Sequence, residues 1–387
     1  MIVPQPATSS SYSLGAHEEK KLWNWLLRRQ GLSDDTKLGS ALAVAQAALG
    51  LHAARLSSPF ATVLARGVAP TVALSLFTAD SRADLMTIRC MRKTLHTLPL
   101  PLAAAAHGAT VHFRVRDALR AVGKAGLSAR SMARIAASIV RLLTEDGALF
   151  HRDIEARLVG NRTTTVAVRL ALKLSWEQGV LTYINDARGW NRANRTFALT
   201  SVLYPDLDMA LSRGSATRQL VREYFDRYGP ASLRDAMWWS GLSRSAIVTA
   251  MNESENDVIV VHGSWCDAPM YMYRDRFEEF QRARAAEHWS GVNFLAHEDV
   301  ALKAYFESRR RYLGQLPPRR AFNQIGEVLP TVVQDGHVVG TWAWDAKHRV
   351  VRVSMTHGFS SARLRRQVAL RARSVTEALR LGYLPTR

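Results

Sequence analysis

The pattern of apolar and polar positions is most regular between residues 228 and 251, where it predicts two short helices joined by a tight turn. Ser232 and Asp235 have the spacing of a capping box, which satisfies the first backbone N–H groups of a helix. Gly241 would end this helix, and Ser243 can cap the next one. The segment therefore predicts a helix-turn-helix.

A hairpin is expected after these helices, because short apolar runs over 258–262 and 270–273 flank a glycine-containing segment. Two helices followed by a hairpin predict a winged helix, in which Arg244 lies in the first turn of the helix that would meet DNA. An ordinary pair of helices with Trp238 and Trp239 in its core is the alternative.

The same order of helices and hairpin recurs upstream. The helical period predicts helices over 128–143, 151–158 and 162–178, and strands are expected over 180–184 and 195–199. A less regular version comes first, with helices expected over 18–29, 38–51, 58–66 and 80–88 and an extended segment over 90–99. The chain is therefore interpreted as a series of tandem winged helices.

The last part of the chain has a different pattern. A helix is expected over 298–312, followed from residue 326 by strands over 328–334, 337–344 and 349–356. Asp335-Gly336 between the first two strands is a strong hairpin signal. The closing helix over 360–381 is basic on its exposed face, which indicates either phosphate contact or a solvated surface.

Composition adds an electrostatic signal. The 387 residues include 52 Lys and Arg against 33 Asp and Glu, which gives a formal net charge of +19 and a pI near 10.6. Such an excess attracts a polyanion, and nucleic acid is the first candidate. No apolar run reaches the ~18 residues that a bilayer span needs, and residues 1–14 do not have the pattern of a signal peptide.

The two cysteines, Cys90 and Cys266, are far apart in the sequence and favour neither a disulfide framework nor a zinc cluster. The sequence contains no phosphate-binding glycine loop and no nucleophile elbow. We therefore expect a protein of the reducing cytoplasm, associated with the nucleoid, without metal or cofactor.

One group of candidate DNA contacts lies in residues 91–96. This segment is interpreted as a strand, in which Arg92, Thr94 and His96 share one face and Lys93 adds a further cation. The alternation predicts contact of this face with phosphate or with a lesion.

Other candidate contacts lie further along the chain. Arg162, Thr163 and Thr164 at a helix start suit phosphate binding through backbone N–H groups and hydroxyls, and simple N-capping is the alternative. Arg309, Arg310 and Arg319 belong to the densest cationic cluster, around a Pro-Pro bend. Contacts of this kind give salt-dependent affinity that does not depend on base sequence.

Several passages together resemble the AlkZ/YcaQ-type winged-helix DNA glycosylases of the HTH_42 superfamily, which unhook interstrand crosslinks and remove bulky alkylated purines. The resemblance extends over roughly residues 20–380. It rests on the order and spacing of these passages: Arg29-Gln-Gly-Leu32, Leu49-Gly-Leu-His-Ala-Ala54, Ser58-Pro-Phe60, Leu64-Ala-Arg66, Met91-Arg-Lys-Thr-Leu-His96, Tyr228-Gly-Pro230, Trp238-Trp-Ser-Gly-Leu242, Asn293-Phe-Leu295 with Asp299, and Val338-Val-Gly-Thr-Trp342.

The resemblance implies a fold that is mainly α with α+β elements. It consists of three tandem winged helices around a DNA-binding concavity and a small C-terminal β-barrel-like region. The expected division is a disordered tail over 1–16, winged helices over 17–112, 113–204 and 205–292, and a helix with the barrel-like region over 293–387.

The resemblance also assigns candidate catalytic residues. The family signature of Gln, an aliphatic residue, then Gln or Asp reads His52-Ala53-Ala54 here, so its second polar group is absent. A neutral histidine offers one donor and one acceptor and could orient or deprotonate water, whereas a satisfied histidine inside a helix is the alternative. Asp299 is the leading carboxylate, although Glu298 and Asp299 beside Lys303 could equally form a helix cap and an ion pair.

We therefore expect a monofunctional glycosylase that hydrolyses the N-glycosidic bond of N7-alkylated or crosslinked purines with water as nucleophile, in repair or genotoxin self-resistance. His52 and Asp299 are the expected catalytic residues, and Arg66 joins the expected DNA contacts. The expected partner is damaged double-stranded DNA, bound by a monomer. The alternative is a non-catalytic winged-helix protein that shields lesions or regulates transcription, and Ala54 is its main support.

Overall fold

The structure is a computed structural model that describes residues 4–33, 36, 38–78, 80–161, 163–185, 187–254, 257–284, 291–356 and 361–384. It is a mixed α/β fold in which roughly half of the residues are helical. None of the helices in these ranges is long and apolar enough to cross a membrane.

The first part of the chain places a small sheet among helices. Its strands run in the order β2-β4-β3, and both pairings are antiparallel. The elements are β1 (Ser11–Ser13), α1 (Ala16–Arg29), α2 (Ala41–Ala47), β2 (Leu51–His52), α3 (Ser57–Ala65), α4 (Pro70–Ala73), β3 (Leu85–Arg89), β4 (Leu95–Pro99) and α5 (Leu100–Lys124).

Four predictions for this part are wrong. Residues 11–13, predicted in a disordered tail, form a strand that pairs in parallel with residues 260–262, and Tyr12 packs on Phe277 with ring centroids 4.5 Å apart. The helix predicted over 80–88 is instead a 3₁₀ turn followed by β3. The strand predicted over 91–96 begins as a 3₁₀ turn, because Arg92 and Lys93 have φ angles of 52° and 62°. The boundary predicted at 112/113 falls inside α5.

The continuity of α5 has a packing cause. Gly108 lies against the helix Arg213–Tyr228 so closely that a Cβ atom on it would come within 2.7 Å of Ala216 Cβ. The alanines of residues 103–106 are buried in the same helix. Small side chains thus let this long helix connect the first and second parts without interruption.

The second part repeats helices followed by an antiparallel hairpin, with strand order β5-β7-β6. Its core is separate and consists of apolar side chains from α5 to α8 and the hairpin. The elements are α6 (Ala129–Asp146), β5 (Leu149–Phe150), α7 (His151–Leu158), α8 (Thr165–Glu177), β6 (Leu181–Asn185), β7 (Arg195–Leu199) and α9 (Thr200–Leu203).

The third part confirms the capping signals. The Ser232 hydroxyl accepts from Asp235 N at 3.1 Å and the Asp235 carboxylate accepts from Ser232 N at 3.0 Å. Gly241 ends the helix at φ 76°, and Ser243 caps the next helix. The elements are α10 (Arg213–Tyr228), α11 (Leu233–Ser240), α12 (Arg244–Asn252), β8 (Val258–Gly263), β9 (Cys266–Tyr273) and α13 (Arg274–Arg282), with sheet order β1-β8-β9.

The last part is a four-stranded antiparallel sheet in the order β10-β11-β12-β13, joined at residues 335–336 by the predicted hairpin. Its first and last strands do not pair with each other in the described residues, so the sheet is open. The helix predicted over 298–312 is two short helices. The elements are β10 (Val292–Leu295), α14 (Val300–Lys303), α15 (Arg310–Leu313), β11 (Thr331–Gln334), β12 (His337–Asp345), β13 (Val350–Met355) and α16 (Ala362–Leu381).

Two apolar cores fix the first part against the others. One core joins α1 and α5 to α10, α11 and β9, and includes Leu26, Tyr224 and Trp239. The other core joins α3 to the C-terminal sheet and α16, and includes Phe60 and Phe294. The segment from β2 to β4 therefore lies between the third part and the C-terminal sheet.

Candidate active site

His52 lies on a strand and not in a helix. In β2 it is paired directly with His96 of β4, so both side chains project from the same face of the sheet. Their ring centroids are 5.2 Å apart, and His52 is 3% exposed. His96 Nδ1 lies 3.2 Å from Thr94 O, and a carbonyl only accepts, so this nitrogen carries the proton.

A turn before α14 brings a carboxylate to His52. Glu298 has a φ angle of 57°, and its backbone N donates to Val328 O at 2.9 Å. The side chain accepts from Val328 N at 2.5 Å through Oε1, while Oε2 forms an ion pair with Lys303 and lies 3.7 Å from His52 Nε2. The left-handed backbone of a non-glycine residue is unfavourable in itself, and here these bonds on both sides of Glu298 hold it.

The site, defined as His52, His96, Glu298 and Lys303, contains charges that burial disfavours. Burial, with the nearby cations, holds the pKa of His52 well below its usual range, and burial lowers the pKa of His96 to about 4. Burial and the Arg92 guanidinium lower the pKa of the Lys303 ammonium to about 7. At neutral pH both histidines are therefore neutral, while Lys303 changes its charge in this range.

Neither ring nitrogen of His52 hydrogen bonds to another group of the described protein. The separation of 3.7 Å from Glu298 Oε2 is too long for a hydrogen bond. Buried polar groups are nearly always satisfied, so an unsatisfied group needs an explanation, and a chemical role is one such explanation. The neutral ring of His52 thus retains one donor and one acceptor next to a carboxylate.

An aromatic and cationic layer covers this site. The Arg92 guanidinium lies 3.6 Å from the centroid of the Trp238 ring, and Lys303 Nζ lies 5.4 Å from the same ring. Phe306 also packs on Trp238, with ring centroids 4.8 Å apart. The 3₁₀ turn Met91–Lys93 and helix α11 therefore contact each other next to Lys303.

Asp299 and Arg66 form a separate, fully buried pair. Asp299 is 0% exposed, and each of its carboxylate oxygens accepts from an Arg66 nitrogen at 3.1 Å. Asp299 also caps α14 by accepting from Ala301 N at 3.0 Å. Arg66 is 1% exposed and donates to two backbone carbonyls, so the prediction that it contacts DNA is wrong in this structure. The pair fixes the turn that carries Glu298.

The predicted contacts of residues 92–96 separate in the structure. Lys93 is exposed and forms an ion pair with Asp117, whereas the Thr94 hydroxyl donates to Met91 O at 3.0 Å. His96 is 7% exposed and faces His52, so it is a site residue and not a surface contact. The shared polar face does not form, because the 3₁₀ turn breaks the alternation before β4.

The remaining predicted contacts are distributed over the surface. Thr164 caps α8 by accepting from Ala167 N at 3.2 Å, Thr163 accepts from Arg134, and Arg162 lies outside the described residues. The four predicted arginines are at least partly exposed. Arg244 donates to Pro4 O at 3.0 Å, and Arg309 lies over the rings of Phe306 and Phe322. Arg310 pairs with Asp267 at 3.0 Å, and Arg319 is in the 3₁₀ turn Pro318–Arg320. DNA contact by these residues stays a prediction.

Sequence reasoning missed the role of Glu298 at the site. The ion pair with Lys303 was one of its two alternatives and is present, but the approach of the same carboxylate to His52 was not foreseen. No local signal places Glu298 beside His52, because the two residues are far apart in the sequence.

Comparison with known proteins identifies the family of the chain. The sequence profile of the AlkZ-like DNA glycosylases matches residues 45–379. A solved structure of Streptomyces sahachiroi DNA glycosylase AlkZ is similar, with a TM-score of 0.73 and 20% sequence identity over 98% of this chain and 100% of that chain. The curated protein sequences contain no match. Because the profile matches most of the chain, including every residue of the site, the protein belongs to the AlkZ-like DNA glycosylase family.

Proposed function

We propose that this protein is a monofunctional DNA glycosylase that hydrolyses the N-glycosidic bond of N7-alkylated or crosslinked purines in duplex DNA. The family supports the reaction class. The observation that carries the assignment of the site is the buried His52 ring, which has no hydrogen-bond partner among the described residues and lies 3.7 Å from the Glu298 carboxylate.

Alkylation at N7 makes the purine cationic, so the base is already a good leaving group and the protein needs to lower the barrier only modestly. The bond between C1′ and N9 breaks, its electron pair stays on the purine, and the base leaves neutral while positive charge develops on the sugar. A water oxygen then bonds to C1′ and gives up one proton. Positioning of this water and stabilisation of the developing charge are the tasks that remain.

His52 and Glu298 divide these tasks. The lowered pKa keeps the His52 imidazole neutral, so one ring nitrogen can accept a hydrogen bond from the water and then its proton. The Glu298 carboxylate stabilises both the sugar cation and the resulting imidazolium. Lys303 sets the strength of this effect, since its ammonium neutralises the same carboxylate oxygen. In this proposal Asp299 positions the turn and does not contact the reactants.

The fold suits a duplex partner. We interpret the three units of helices and hairpin as winged helices around the DNA and the open C-terminal sheet as the barrel-like region. Exposed cations such as Lys93, Arg310 and Arg319 would contact phosphates. Since His52 is only 3% exposed, the lesion reaches it when the layer of Arg92 and Trp238 moves aside. Such a protein would act as a monomer in the cytoplasm, in repair or genotoxin self-resistance.

A non-catalytic protein that shields lesions is the second candidate. Ala54 is exposed and replaces the second polar residue of the family signature, so nothing at that position can hold the water or the sugar. This candidate predicts tight binding of damaged duplex without release of a base.

The deciding experiment measures abasic sites in a duplex that contains N7-methylguanine. Wild type should release the base, and His52→Ala should not, while His17→Ala, which removes an exposed histidine of α1 outside the site, should behave as wild type. Tight binding without release by wild type would support the shielding protein for this lesion. Release that persists in His52→Ala would keep the function and overturn the site.

A further inference from the structure

A groove outside the active site lies in the second part of the chain, between α7, α8 and the β6–β7 hairpin. Its volume is about 960 Å³, which is ample for several bases. Aromatic rings and cationic side chains line it together, among them Trp176, Tyr183, Phe197, Lys173 and Arg195. None of these residues belongs to the site around His52.

The aromatic side chains form a connected wall. Trp176 meets Tyr183 and Phe197 edge to face, with ring centroids 5.8 Å and 6.3 Å away. All three rings are partly exposed, so the groove presents them to solvent. Large rings held by edge contacts and left partly open are surfaces on which a flat ligand can stack.

Some of the cationic side chains in the groove have carboxylate partners and others do not. Arg169 pairs with Glu155 at 2.8 Å and Arg89 pairs with Glu177 at 2.8 Å, so these cations are compensated. Lys173 has no ion-pair partner within the described part of the chain, and the Arg195 guanidinium lies 5.4 Å from the Tyr183 ring. Positive charge is therefore left beside the aromatic wall.

The groove and the active site lie on opposite faces of the sheet β2-β4-β3, and Arg89 links the groove to the turn beside the site. Alternation along β3 and β4 places Thr87 and Arg89 on the face of the sheet opposite to His96. Arg89 nevertheless donates from Nε to Lys93 O at 2.7 Å, beside the turn of Arg92 that covers the site.

We propose that this groove binds a short single-stranded segment of DNA, with unstacked bases against Trp176 and Tyr183 and phosphates on Lys173 and Arg195. Aromatic platforms beside cations are the arrangement that holds single strands without sequence preference. Bases inside an intact duplex cannot stack on side chains, so the groove favours the single strand. This proposal does not depend on base release by His52.

The test measures fluorescence anisotropy of labelled dT12, rU12 and a 12-base-pair duplex with the full chain. Tyr183→Ala should weaken dT12 binding about tenfold, whereas Tyr183→Phe, which keeps the ring, should retain it. The double variant Lys173→Ala/Arg195→Ala should weaken dT12 binding and reduce its salt dependence. The charge-matched control Arg130→Ala/Arg141→Ala removes exposed cations of α6 outside the groove and should leave dT12 binding unchanged.

A second measurement does not depend on variants. A dT12 strand with one 5-iodouracil, irradiated on the wild-type protein, should crosslink to the peptide that contains Trp176 or Tyr183. Crosslinks confined to other segments would overturn the proposal, as would equal dT12 affinity of Tyr183→Ala and wild type. Tighter binding of rU12 than of dT12 would overturn the assignment to DNA.

Discussion

Removal of the Arg66 guanidinium tests how the turn of Glu298 is held. Arg66→Ala deletes two hydrogen bonds of 3.1 Å to Asp299 and the bonds of 2.9 Å and 3.1 Å to the carbonyls of Gln30 and Thr62. Asp299 is 0% exposed, so the substitution leaves a buried carboxylate without its cation.

The expected loss is large. Removal of one partner of a buried ion pair costs about 3–5 kcal/mol, which is a substantial part of the roughly 5–15 kcal/mol that stabilises a typical domain. The double variant Arg66→Met/Asp299→Leu removes both charges and replaces them with apolar side chains. It should be clearly more stable than Arg66→Ala, because no unpaired charge stays buried.

The assay is urea unfolding followed by circular dichroism, with the free energies of unfolding of wild type, the single variant and the double variant compared. Arg218→Ala is a suitable control, because this arginine pairs with Glu253 at the surface and such pairs contribute about 0–1 kcal/mol. A loss below about 1 kcal/mol for Arg66→Ala, or a double variant no more stable than the single one, would refute the reasoning.

The substitution Asp299→Asn distinguishes the two roles considered for Asp299, which are positioning of the turn and contact with the reactants. If Asp299 only positions the turn, Asp299→Asn lowers stability and base release together, and both return in part at low temperature or with a stabilising osmolyte. If Asp299 contacts the reactants, release is lost while the urea midpoint stays near that of wild type. The second result would restore the catalytic role expected from the sequence.

Further predictions concern Lys303, Gly340 and Ala54. Base release should rise as pH increases through about 7, because Lys303 loses its charge there and frees the Glu298 carboxylate, and Lys303→Arg should abolish this step in a pH profile. Unfolding stability should also rise with pH from about 7 toward the ordinary lysine pKa, since the unfolded chain binds the proton more tightly there. Gly340→Ala should lose about 1–3 kcal/mol in urea unfolding, because its Cβ would come within 2.6 Å of a neighbouring backbone oxygen, whereas Gly39→Ala, with nothing within 4 Å, should lose little. Ala54→Gln should increase base release in the abasic-site assay, and an unchanged rate would show that this position no longer takes part.

Local signals in the sequence predicted much of the fold. The capping box at Ser232, the left-handed Gly241 and the Asp335-Gly336 turn each act over a few residues, and the structure confirms all three. The long helix α5 could not be placed in this way. Its alanine-rich middle has weak amphipathic character, and its burial depends on close contact with α10, which is distant in the sequence.

The site was only partly predictable for the same reason. His52 was identified through the family signature, but its environment comes from two other segments, around His96 and Glu298. The backbone of Glu298 is left-handed, and no local sequence rule predicts this conformation for a glutamate. Likewise, burial of Arg66 follows from a partner more than two hundred residues away, which its position at a helix end did not reveal.

The strand Ser11–Ser13 lies at the edge of the sheet formed by Val258–Gly263 and Cys266–Tyr273. The ribosome makes this strand early and its partners late, and at about 5–20 residues per second the interval is about 12–50 s. Throughout this interval the first strand has no partner to pair with. Completion of this sheet therefore waits until residues 258–273 have been synthesised, whereas the sheets of the first and second parts join strands that are close together in the sequence.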